Sequence, residues 1–142
     1  MSKDIKEYIG QTFEDVLIVW LYLNGNPVCI VNFYVKGHSY FRISCSEENV
    51  TIREQKEAPQ DFTFDEFTNK VIKQDIEWLQ KNTVVSIKYL IDSYNIKRGL
   101  IIFFENNHNI VFYNEGYDYG DEEIFEKDIN INSLPYEMVD YS

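Results

Sequence analysis

Proline and glycine are scarce in this 142-residue chain, at three and six. That leaves little room for linkers. The six glycines also stand one at a time, and no Gly-rich loop of the kind that cradles a phosphate occurs. Cysteine is nearly absent: Cys29 and Cys45 have the spacing of no zinc motif. If a hairpin turns at Lys36-Gly37-His38, these two fall almost opposite each other. Two readings then stay open, a disulfide in an oxidising compartment or two small buried residues in a reducing one. Histidine is as rare, with His38 and His108 both falling in expected hairpin turns. Two histidines and two core cysteines cannot close a zinc site. There is no Gly-x-Ser-x-Gly elbow, and a Ser or Cys nucleophile needs a base that is itself held by a third group. Long apolar runs are missing too. The longest, Val16 to Leu23, is far short of the roughly 20 residues that span a bilayer. The first residues, Met1-Ser2-Lys3-Asp4-Ile5-Lys6-Glu7, carry charge where a secretory signal is apolar, so the cytoplasm is the expected location.

Positive charge is the other shortage. Twenty-four acids face thirteen bases, a net charge of −11. The excess is concentrated at one end. From Glu115 onward there are nine acids (Glu115, Asp118, Asp121, Glu122, Glu123, Glu126, Asp128, Glu137, Asp140) and one base, Lys127. The other twelve bases balance most of the remaining fifteen acids. A polyanion is repelled by such a tail, as is an anionic membrane, and no basic stripe offsets it. Nucleic acid and membrane are therefore excluded as expected partners, and a basic protein is favoured.

What the chain does have is apolar and aromatic bulk: 44% hydrophobic residues, with eleven Tyr, ten Phe and two Trp. That is enough to bury a core. Residues 3–9 read as a short helix stopped by Gly10. Strands are expected at 13–23, 28–35, 40–45 and 50–53, and again at 84–91, 100–105 and 110–114. Between the two sets, Phe64, Phe67 and Val71 recur at helical spacing. With Thr63 and Glu66 as a capping box, they predict a helix from Asp61 to Ile72, extending as far as Leu79 in its longest form. The segment Ser133-Leu134-Pro135-Tyr136-Glu137-Met138 is read as one further helical turn. Trp20 and Trp78 are assigned to the core. The spacing Phe33, His38, Phe41, Ile43 returns as Phe103, His108, Val111, Tyr113. This suggests an internal repeat of about 13–53 and 83–114 within one domain. The expected fold class is α+β: mainly antiparallel sheet from two similar β-meander halves joined by a helix near 61–79, with an acidic tail over 115–142.

The candidate site lies in that tail. Glu115, Tyr117, Asp118, Tyr119, Asp121, Glu122 and Glu123 interleave aromatic rings with carboxylates. Tyrosine gives large contact area at low entropic cost, and carboxylates take paired hydrogen bonds from arginine and steer a basic partner into encounter. The competing reading is a solvated acidic loop, with Ile124 and Phe125 packed back on the sheet. Asp118 to Glu123 does not follow the alternating ligand pattern of a calcium loop, so no metal and no cofactor are expected. With twenty-four acids the chain singles out no catalytic pair. An enzyme acting through two carboxylates, or an assembly subunit, remain the alternative classes.

The run Leu100-Ile101-Ile102-Phe103-Phe104-Glu105-Asn106-Asn107 followed by Ile110-Val111-Phe112-Tyr113-Asn114-Glu115-Gly116 resembles small acidic bacterial immunity proteins of polymorphic toxin systems. So does Val31-Asn32-Phe33 leading through Gly37 to Phe41-Arg42-Ile43-Ser44. The resemblance is one of pattern and composition over most of the chain. It implies a cytoplasmic α+β protein that neutralises a toxin, frequently a nuclease, by covering its active site. It implies no catalytic residues.

Overall fold

The computed structural model describes residues 4–45, 49–115 and 123–141. Among them it is built from antiparallel strands in two sheets, with no helix of seven or more residues. This corrects the expected α+β class: no helix joins the halves. In the first sheet, β1 (Asp15–Leu23), β2 (Asn26–Lys36), β3 (Tyr40–Cys45) and β4 (Val50–Gln55) form a meander. The chain then crosses to the opposite edge through 56–61 and adds β5 (Phe62–Phe64) and β6 (Phe67–Lys73), with β6 beside β1. In the second sheet, β7 (Val84–Ile91), β8 (Lys97–Phe104), β9 (Asn109–Asn114) and β10 (Glu123–Lys127) form a second meander. Here too the chain crosses to the far edge, where β11 (Glu137–Asp140) pairs with β7. Each sheet is thus a four-stranded meander extended at its first strand, by a hairpin in the first sheet and by a single strand in the second.

The segment expected to be a helix is the β5–β6 hairpin. Phe64, Phe67 and Val71 do fit a helical period. The same residues also fit two strands of period two, Phe62/Phe64 and Phe67/Asn69/Val71, split by Asp65-Glu66. The hairpin takes the second pattern, pairing Phe62 with Asn69, Thr63 with Thr68 and Phe64 with Phe67. Asp65 supplies the positive φ (53°) that a two-residue turn requires. Thr63 does not cap a helix; its hydroxyl meets that of Thr68 at 3.2 Å. Aromatic and β-branched residues prefer a pleated surface, and β1 offers β6 a ready edge, so tertiary pairing decides the matter. The other expected helices shrink to short 3-10 turns. Ile5–Tyr8 carries a capping box between Asp4 and Glu7, Ile131–Ser133 replaces the turn expected at 133–138, and Glu137–Asp140 is strand. Trp78 precedes the 3-10 turn Leu79–Lys81 and packs, partly buried, against the core, as does Trp20.

The sheets lie face to face, β2 over β10, β3 over β9 and β4 over β8. Alternate residues of each meander point into the gap: Val16, Ile18, Phe33, Val35, Phe41 and Ile43 from the first, Ile87, Leu100, Ile102, Ile110 and Phe112 from the second. Tyr8 and Phe13 close one side of this core, stacked at 4.9 Å. The second sheet buries its outer face as well. Leu90, Ile101, Val111 and Tyr113 are packed against Ile129, Leu134 and Tyr136 from the crossing segment and Met138 of β11. That is why β9 is buried at every position rather than alternately.

The bottom of the sandwich is held by Asp128, at φ 52°. One of its oxygens accepts from Trp78 Nε1 (2.9 Å) and the other lies 2.9 Å from His108 Nδ1. The two rings stack at 4.3 Å and 9°. Three distant stretches of chain therefore meet on one carboxylate. Asp128→Ala should cost about 2–3 kcal/mol, since bonds to a charged group are among the stronger ones. Urea unfolding checks this, and an unchanged midpoint would show that the latch contributes nothing.

The two cysteines are free thiols. A bulge between Val19 and Trp20 on the β1–β2 ladder turns Cys29 onto the outer face opposite Leu21, whereas Cys45 is fully buried among the core residues. Of the two readings left open, packing holds for Cys45 and no bond joins the pair. No helix among the described residues is long and apolar enough to cross a membrane.

Candidate functional site

Strand directions gather a set of loops at one end of the sandwich. β1, β3, β5, β7 and β9 all run toward it, so the turns at Asn24-Gly25, Asp65-Glu66 and 92–96 lie there together with the exit of β9 and the start of β10. This is the end that presents the sequence-predicted site. Glu115 follows β9 and is half-buried, and Glu123 opens β10 opposite Asn114. Tyr117, Asp118, Tyr119, Asp121 and Glu122 lie outside the described residues.

Glu123 is not simply a solvated acid. Its Oε1 accepts from the backbone N–H of Cys45 at 2.6 Å, across to the other sheet. Asn114, almost fully buried, returns the link by donating from Nδ2 to the Cys45 carbonyl at 2.8 Å. The end of β3 is thus clamped by the two residues that flank the acidic segment. Burial pushes the Cys45 thiol well up, with the Glu123 charge adding to it. Behind Glu115, Tyr113 is pushed up to about 12, first by burial and then by the charges of Glu126 and Glu115. A phenol held neutral beside two carboxylates is a hydrogen-bond donor and packing group, not an acid or base near neutral pH. Phe125 and Ile124 pack on the sheet as expected, against the main core and the outer cluster respectively.

Of the two adjacent cations at the start of β8, Lys97 lies over the Tyr89 ring at 4.2 Å and Arg98 is held in an ion pair. Arg98 pairs with Asp92 at 2.8 Å, both side chains being largely buried. Asp92 also accepts from the N–H groups of Tyr94 and Ile96. Burial alone would raise the Asp92 carboxyl; the bonds from Ile96, Arg98 and Tyr94 overcome it and hold it below the usual range.

Two clefts bear on the paired-carboxylate alternative. One, of about 480 Å³, is lined by Asp4, Ile5, Phe41, Ile52, Arg53, Glu54 and Tyr141. It has two acids and aromatic walls, but both acids are committed. Asp4 caps the N-terminal turn by accepting from Lys6, and Glu54 accepts from the Ser39 hydroxyl. The other, of about 580 Å³, is lined by four acids, Glu14, Asp15, Asp75 and Glu77; Glu14 and Asp15 are paired with Lys36 and Lys73, and no aromatic side chain lines it. Among the described residues no group of three or more His, Cys, Asp or Glu side chains is arranged to hold a metal ion.

No protein-family model, no curated protein and no solved structure matches the chain.

Sequence reasoning missed one feature of this end. Phe64 and Phe67 stand, with Val71, at helical spacing in the sequence, yet on the hairpin Phe62, Phe64 and Phe67 are 61%, 65% and 40% exposed. The signal lay in the alternation of Phe62 and Phe64 around Thr63, with Asp65-Glu66 as turn.

Proposed function

We propose that this is a non-catalytic binding protein that inhibits a basic protein partner, as immunity proteins do a toxin, by covering its cationic surface with the acidic end of the sandwich. The observation that carries the reading is the segregation of charge: most of the net −11 comes from residue 115 onward. The geometry supports it in that Glu115 and Glu123 bracket this segment at one end of the sandwich, with Asn114 and Glu123 both bonded to Cys45. Clustered carboxylates raise the association rate, by as much as 10–1,000-fold at low salt. Occlusion then needs no chemistry on this side of the complex.

The test is to recover partners of the tagged protein at low and high salt and identify them by mass spectrometry. Association with the recovered protein is then measured for Asp118→Asn, Asp121→Asn and Glu122→Gln combined. The expected result is a basic protein retained at low salt, bound at least about tenfold more slowly by the variant and with a shallower salt dependence. Equal rates and equal salt slopes would reject the assigned surface.

A further inference from the structure

The β5–β6 hairpin carries three phenylalanines on a single face. Phe62 and Phe64 are two residues apart on β5, and Phe67 is the direct cross-strand partner of Phe64. All three are exposed, between 40% and 65%. The row continues into Leu23, the partner of Phe67 on β1, and Leu21, the partner of Asn69. Large exposed apolar patches rimmed by charge mark interaction sites. Here the rim is acidic. Asp61 precedes the hairpin, with one carboxylate oxygen accepting from the Val71 N–H at 2.8 Å, and Asp65-Glu66 form its tip; none of the three has a lysine, arginine or histidine within ion-pair distance among the described residues. The nearby cation, Lys70, sits on the opposite face over the ring of Tyr22 at 5.6 Å. β5 is also the outermost strand of its sheet, and among the described residues no strand lies beside its far side.

We propose that this hairpin is a docking surface for a cationic, partly apolar protein segment. The phenyl rings take its apolar side chains and the faces of its guanidinium groups, and Asp61, Asp65 and Glu66 pair with its charges. Charge complementarity selects this occupant over a second copy. Antiparallel pairing of two β5 strands about Thr63 sets Asp61 against Asp65 of the other copy, and each copy carries −11. The inference rests on the basic-partner reading and extends it. The tip lies at the same end of the sandwich as Glu115 and Glu123, so one partner can engage both.

The probe is a ten-residue peptide of alternating arginine and leucine, with alternating arginine and serine as the charge control. Each is titrated into the isotope-labelled full chain and followed by amide NMR shifts and by calorimetry. The arginine–leucine peptide is expected to shift residues 61–69 and to bind at least tenfold more tightly than the control. In the triple variant Phe62→Ser, Phe64→Ser, Phe67→Ser that advantage should disappear. These side chains are exposed, so the variant is expected to fold; the single change Phe64→Ser, with about a threefold loss, gives the same reading should the triple fail. The variant Asp118→Asn, Asp121→Asn, Glu122→Gln should keep the shifts at 61–69. Shifts confined to the C-terminal segment, with equal binding by the serine variant, would overturn the hairpin and leave the acidic-end reading standing. Equal affinity of both peptides at every site would overturn it too. A dimer on sedimentation that becomes monomeric in the serine variant would assign the surface to a second copy instead.

Discussion

Gly99→Ala should cost about 3 kcal/mol or more, lowering the melting temperature by roughly 6–12 °C for a chain of this size. Gly99 sits in β8 with Tyr113 as its direct partner on β9. A Cβ there would lie against the carbonyl oxygen of Phe112 and only 2.6 Å from Tyr113 Cβ and 2.7 Å from its Cα. A clash with a flexible side chain relaxes by rotation, but this one is with backbone in the most buried strand of the molecule. The ladder must spread or slip. Thermal and urea unfolding check the expectation, and a melting temperature within 2 °C of the parent would show that β8 and β9 can separate at little cost. The glycine is thus required by close approach and not by a special φ.

Phe112→Ala should cost about 3–5 kcal/mol, a large fraction of the 5–15 kcal/mol that stabilises an ordinary domain. The ring is fully buried. Its centroid lies 4.8 Å from that of Phe33 on the first sheet and 5.5 Å from that of Phe125 on β10. Truncation removes the contact that joins three strands and leaves a cavity where the two sheets pack face to face. Because β10 follows the acidic segment in the chain, the effect should reach the end where Glu123 bonds Cys45. The amide of Cys45, bonded to Glu123 in the parent, should lose protection from hydrogen exchange more than amides of β6. Uniform loss across both would show that β10 has no separate tie to this ring. A denaturation midpoint unchanged from the parent would contradict the packing itself.

Much of the sheet was legible before the structure. β3 and β7 have the bounds that alternation and the flanking turns imply, and β1, β2, β4, β8 and β9 fall within three residues of theirs. β2 and β3 show the apolar period of two, whereas β1, β8 and β9 are short continuous apolar runs bounded by turn residues. The β5–β6 hairpin was not legible in the same way. Over eight residues, Phe64, Phe67 and Val71 satisfy both periods, and short apolar runs do not separate the two. β10 and β11 were hidden for another reason. Glu123-Ile124-Phe125-Glu126-Lys127 and Glu137-Met138-Val139-Asp140 are too polar and too short to announce a strand, and they become strands because β9 and β7 present free edges to them. The candidate site was visible as composition, a run of acids and tyrosines. That Glu123 is bonded across the sheets, that Arg98 is spent on Asp92 and that three phenylalanines stand exposed nearby were not visible, because each depends on which strands lie side by side.

Composition and local pattern were therefore sufficient for the quantities that add residue by residue. These are the net charge and its concentration after residue 114, the apolar bulk for a core, and the turns where Asn106 and Asn107 take positive φ. They were insufficient for anything set by pairing over long separations. Strand order, the two edge-to-edge crossings, the free thiols and the exposed hairpin face all follow from which backbone edges and apolar faces find each other. A sheet satisfies its hydrogen bonds with partners distant in the chain, whereas a helix satisfies them within four residues. Local periodicity therefore carried the strands it could see, and only the packed sandwich could turn a helical-looking segment into the hairpin at its edge.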